Sequence, residues 1–163
     1  MLKLWQKKLE LNLDKKNIID IVQYGSSTIE DEKHNDVDIA VFYKHELNLE
    51  KQLQTSQNIK KQLKKSINEN IDIKSFTLES FFEPGNFAKE GILFNAISLL
   101  SGKYFSERFN LKPKILIRYD LSGLEKKDKV RLNYFLSGKK EFGGILKKIE
   151  GKIKAPGLIE VKP

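Results

Sequence analysis

The sequence predicts an α+β fold: a mixed β-sheet flanked by helices, followed by a basic α+β C-terminal extension. Three observations carry this. Runs rich in β-branched and aromatic residues at 18–24, 36–43 and 71–76 read as strands bounded by turn residues. Between the second and third, apolar residues recur at mostly helical intervals. The charge is also unevenly divided. Residues 1–80 hold 13 basic and 13 acidic side chains, whereas residues 81–163 hold 17 and 9, and so all of the net +8. The expected organisation is a core over residues 1–83 and a basic region over 84–163. A hydrophobic fraction of 39% supplies a core and argues against disorder.

The elements follow in order. Residues 2–13 carry Leu2, Trp5 and Leu9 on one helical stripe. Residues 18–24 form a strand that stops at Gly25; beyond it, either this strand pairs directly with the next or a short helix begins at Gly25-Ser26. In Asp36-Val37-Asp38-Ile39 the alternation places one face in a core and opens the other to a cleft. Residues 49–70 have Leu49, Leu53, Ile59, Leu63 and Ile67 at mostly helical spacing, with Lys60, Lys61, Lys64 and Lys65 on the other faces, as an amphipathic surface helix requires. Ile71 and Ile73 then alternate with Asp72 and Lys74. Glu83-Pro84-Gly85-Asn86 is the best linker. Beyond it come a helix over 87–100, a strand over 114–119 and a helix opened by a capping box at Ser122 and Glu125. A short helix over 142–149 and a hairpin about Pro156-Gly157 end the chain.

Several classes are excluded. With no cysteine there is no disulfide framework, thiolate metal site or cysteine nucleophile. The longest apolar-leaning run, residues 91–100, contains Asn95 and Ser98 and is half the length a spanning helix needs. A cytoplasmic protein without membrane contact is expected.

The chemistry lies in three features. Gly25-Ser26 follows directly on a strand, where a glycine lets backbone approach a ligand and the serine adds a hydroxyl and an N–H, both suited to phosphate. Asp36 and Asp38 share one strand face about 6–7 Å apart. Asp72 faces away from Ile71 and Ile73 and joins them if the strands are neighbours. Taken singly, an Asp-x-Asp is more often a solvated strand start, Ser26 a helix cap, and Asp72 a surface partner of Lys74. In this order and strand context the three make a carboxylate cluster that repels itself unless cations sit within it. Such a cluster suits phosphoryl or nucleotidyl transfer.

Tyr24-Gly25-Ser26, nine residues, then Asp36-Val37-Asp38-Ile39, with Asp72 in a later Ile-Asp-Ile, resembles the signature of the DNA polymerase beta-like nucleotidyltransferase superfamily, closest in size to its minimal members, over residues 18–76. The resemblance implies a nucleoside triphosphate bound with Mg²⁺ or Mn²⁺. Gly25 and Ser26 would hold its β- and γ-phosphates. Asp36, Asp38 and Asp72 would be the metal ligands and catalytic residues, with Asp72 also helping to deprotonate the acceptor hydroxyl. The chain departs from the family pattern where Ser27, Thr28 and Ile29 lead into the acidic Glu30-Asp31-Glu32. The implied acceptor is a nucleic acid or a protein such as a toxin partner. The alternative is a fold kept without turnover as a nucleic-acid-binding or antitoxin-like module.

The basic half interleaves cations and aromatics: Lys103, Tyr104 and Phe105; Arg108 and Phe109; Arg131 and Tyr134; Lys139 and Lys140. This composition suits nucleic acid. An ordinary amphipathic domain reads the same way, with Phe105, Phe109 and Phe135 as core. His34 and His45 are too far apart for a ligand pair and read as loop residues, His34 close enough to Asp36 to line a cleft.

Overall fold

A computed structural model of the chain describes residues 4, 9, 11–13, 16–29, 33–139 and 142–163, with Phe142 described by its backbone alone. The helix expected over 2–13, including Trp5, lies largely outside these residues, as do Glu30, Asp31, Glu32 and Lys140. The chain forms two compact units, residues 1–112 and 113–163.

The first unit is built on a mixed sheet. Strand β1 (Ile18–Tyr24) pairs antiparallel with β2 (Asp36–Tyr43), so the strands are direct neighbours. A single 3-10 turn, Ser26–Thr28, also follows Gly25, and both expectations for this segment are met. From β2, helix α1 (Leu49–Leu63) crosses to β3 (Asn70–Thr77), which lies parallel to β2; a parallel pair requires such a crossover. Asn48 caps α1 by accepting the Lys51 N–H at 2.9 Å. The helix ends at Leu63, short of the expected residue 70, because Ser66 and Ile67 turn back onto the Leu63 carbonyl and β3 needs extended backbone. Its apolar stripe is shorter too. Ile59 and Leu63 are buried, whereas Leu49 and Leu53 are exposed.

The sheet has two apolar faces. Val37, Ile39, Val41 and Ile71 pack with Ile59 and Leu63 of α1. On the opposite face Val22, Tyr24, Ala40 and Phe42 pack with Phe81 of α2 (Leu78–Phe82), Ile92 of α3 (Ala88–Asn95) and Phe105 of a 3-10 turn at Phe105–Phe109. The Phe42 and Phe105 rings stack at 4.2 Å. Helix α2 was not expected from the sequence. A capping box at its start, between Thr77 and Ser80, holds it in place. The helix expected over 87–100 stops at Asn95, and Ile97–Ser98 becomes strand β4, paired antiparallel with β1. Sheet order is β3-β2-β1-β4. The division expected near residue 84 therefore falls inside this unit, because residues 84–112 supply an edge strand and the cover of one face.

The second unit has a three-stranded antiparallel sheet in the order β5-β9-β8, from β5 (Ile115–Arg118), β8 (Lys152–Ala155) and β9 (Leu158–Val161). Helices α4 (Lys126–Ser137) and α5 (Ile145–Lys148) bracket a small pair, β6 (Gly138–Lys139) with β7 (Phe142–Gly143). Leu136, Leu146, Ile159 and Val161 form its core. Glu125, not Ser122, occupies the N-cap of α4, because Asp120 takes both the N–H and the hydroxyl of Ser122, at 2.8 and 2.6 Å. Phe135, read as core, is 60% exposed, while Phe105 is buried and Phe109 packs beside it. Among the described residues no helix is long and apolar enough to cross a membrane.

Candidate functional site

The carboxylates owe their placement to their apolar neighbours. Val37 and Ile39 are buried on the α1 side of the sheet, so alternation sends Asp36 and Asp38 to the other side. Ile71 and Ile73 pack on the α1 side as well, which sends Asp72 and Lys74 the same way. In the parallel register Asp38 lies opposite Asp72. Neighbouring strands are about 4.8 Å apart, so the three carboxylates share one face at the open end of the aromatic core.

Their proximity is visible in their acidity. Burial raises the Asp38 carboxyl above its ordinary value, Asp36 and Asp72 raise it further, and Lys74 opposes them. Tyr24 lies opposite Asp38 on β1. Its phenol is pushed far up by burial first and then by Asp38, Asp72 and Asp36, so it is a neutral hydroxyl at any working pH.

Gly25 brings backbone to this cluster. Its φ is +75° and its ψ −161°, a region essentially reserved for glycine. A β-carbon there would stand 2.6 Å from Asp38 Oδ2. The Gly25 carbonyl accepts the Thr28 N–H at 3.1 Å, the Thr28 hydroxyl at 2.7 Å and the Asn95 amide at 3.5 Å, which fixes the turn. Ser26 opens the 3-10 turn and is part-exposed. Ser27 is buried, accepts from Gln23 Nε2 at 3.1 Å and donates to the Tyr24 carbonyl at 3.2 Å. The two serines thus divide the work: Ser27 braces the turn and Ser26 is left at the site.

One contributor escaped the sequence reading. Asn95 interrupts the apolar run 91–100, and that interruption was the signal. Its Oδ1 is buried without a hydrogen-bond partner among the described residues, as is the Tyr24 hydroxyl. His34 Nε2 lies 3.7 Å from Glu69 Oε1. Arg108 is not free for a phosphate, because its Nε donates to the fully buried Asp20 at 2.7 Å.

Among the described residues no three His, Cys, Asp or Glu side chains gather into a ready metal cage. The donor set nevertheless fits Mg²⁺. It consists of carboxylate oxygens alone, in a cluster whose mutual repulsion a cation relieves, and Mg²⁺ is commonly held by one or two carboxylates completed by water and substrate phosphates.

A family model described as Polymerase beta, Nucleotidyltransferase matches residues 7–94, which contain Tyr24, Gly25, Ser26, Asp36, Asp38 and Asp72 but not Asn95. No curated protein and no solved structure matches the chain.

Proposed function

Because the chain belongs to the polymerase beta nucleotidyltransferase family, we infer that it transfers a nucleoside monophosphate from a nucleoside triphosphate to a hydroxyl of a nucleic-acid or protein acceptor. One register carries this reading: Asp38 opposite Asp72, Asp36 on the same face, and the Gly25 backbone against Asp38. Asp36, Asp38 and Asp72 would hold Mg²⁺, or Mn²⁺ in its place. When bound, the ion supplies positive charge to the triphosphate and to the oxygens that gain charge during transfer.

The chain's own groups do the rest. Gly25 and Ser26 offer backbone N–H groups and a hydroxyl to the β- and γ-phosphates, and the missing side chain at Gly25 admits close approach. Asp72, more exposed than Asp38, takes the acceptor hydroxyl's proton on its carboxylate. That oxygen attacks the α-phosphorus, the bond from the α-phosphorus to the bridging oxygen breaks, and pyrophosphate leaves.

The lack of a three-ligand cage among the described residues favours a second reading, a nucleotidyltransferase fold that binds without turnover. Incubating the protein with Mg²⁺, α-labelled triphosphates of all four bases, and nucleic-acid or protein acceptors separates the two. Transfer by wild type that falls at least about a hundredfold in Asp36→Ala/Asp38→Ala is expected. If wild type transfers no label and no triphosphate raises its melting temperature, the catalytic reading fails.

A further inference from the structure

The second unit lies outside the stretch matched by the family model and holds nearly all the excess charge. Residues 113–163 carry 13 basic and 6 acidic side chains, net +7, against 17 and 16 in residues 1–112. One face of its sheet is used by the core, through Ile159 and Val161. The register puts Leu116 and Lys152 on either side of Glu160, and Arg118 opposite Leu158, on the other face. Lys114, Leu116, Arg118, Lys152 and Lys154 are all exposed there.

The lysines are gathered, not scattered. Lys114, Lys152 and Lys154 approach the one carboxylate of Glu160 at 3.6, 3.3 and 3.4 Å. Burial would raise the Glu160 carboxyl, but Lys152 and Lys154 hold it below its ordinary value. Glu160, with Glu150 also in electrostatic range of Lys114, still leaves the three ammonium groups and the nearby Arg118 with an excess of positive charge. Exposed ion pairs contribute little stability singly, so the fold itself does not require three lysines at this point.

We propose that the outer face of the β5-β9-β8 sheet is a nucleic-acid backbone-binding site, in which Lys114, Lys152, Lys154 and Arg118 contact phosphates and Glu160 keeps the lysines gathered until a phosphate displaces it. The cations stand in two rows, Lys114 and Arg118 on the β5 side with Leu116 between them, and Lys152 and Lys154 on β8, flanking Glu160 and Leu158 of the central β9. A phosphate backbone is the polyanion whose charges recur at close, fixed intervals. Among the described residues no aromatic side chain stands on this face to add the apolar insertion that strengthens binding to a membrane surface. This site goes beyond the transfer reading and does not depend on it.

The test is binding of a fluorescent single-stranded RNA of about 20 nucleotides to the full chain, without triphosphate or metal, across a salt series. Wild-type affinity should fall steeply with salt. Lys114→Gln/Lys152→Gln/Lys154→Gln should bind at least about tenfold more weakly, with a log–log salt slope shallower by about 2. The control Lys60→Gln/Lys61→Gln/Lys64→Gln removes the same charge from α1 and the turn after it and should bind within about twofold of wild type. Glu160→Gln should bind more tightly, an effect that a purely structural ion-pair network does not produce. Circular dichroism checks each fold. Wild type that ignores RNA, a control as weak as the sheet variant, or capture by phosphatidylserine vesicles or poly-glutamate in place of RNA would each overturn the proposal.

Discussion

Gly25 shows how much one residue position can demand. Its dihedral angles admit essentially glycine alone, and its missing side chain is the space Asp38 uses. Gly25→Ala should therefore cost about 1–3 kcal/mol in chemical denaturation and displace Asp38 as well, abolishing any transfer. Asp38 makes a second prediction, in which the sign matters. Its folded-state acidity is weakened by burial and by Asp36 and Asp72, so ionising it is harder in the folded chain than in the unfolded one. Stability from this group is full at low pH and is lost as pH rises through the raised value. Without Mg²⁺, melting temperatures of wild type should fall across that range relative to Asp38→Asn. At neutral pH Mg²⁺ should stabilise wild type more than the variant. The carboxylates were legible as a set because period-2 alternation assigns faces without knowledge of neighbours. Asn95 was not, because its contact with Gly25 spans 70 residues of chain.

Among the elements, the 3-10 turn at Phe105–Phe109 is tied to β1 by polar as well as apolar contacts. Asp20 is fully buried in β1. Its carboxylate accepts Arg108 Nε and Ser98 Oγ, both at 2.7 Å, and the Ile21 N–H at 2.8 Å. Arg108→Ala leaves that carboxylate without its counter-ion. Because Arg108 is 45% exposed and two other hydrogen bonds survive, a loss of about 2–3 kcal/mol in urea unfolding is expected, at or just below the low end for breaking a buried pair. Asp20→Asn in the Arg108→Ala background should recover part of it. The sequence marked Arg108 only as one cation beside an aromatic. Its partner stands 88 residues away, and composition carries no information about such pairings. The same limit explains the overlong helix over 87–100: an apolar run reads alike as helix or strand until an open sheet edge, here that of β1, claims part of it.

On the scale of the whole molecule, the charge excess and the matched fold belong to different units. A chain ending at Lys112 keeps 17 basic and 16 acidic residues, together with both apolar faces of its sheet. It should melt cooperatively and leave a cation exchanger far earlier than the full chain. The sequence alone determined the α+β class, the strands bearing Asp36, Asp38 and Asp72, and the charge asymmetry, because hydrophobic period, turn residues and charge are local properties. Tertiary structure alone decided that the boundary falls at 112 and not near 84, that Asp38 faces Asp72, that Phe105 is core while Phe135 is exposed, and that three lysines meet at Glu160. Each of these depends on which distant segments pair, and strand pairing is decided by burying both faces of a sheet at once, which no stretch of sequence specifies alone.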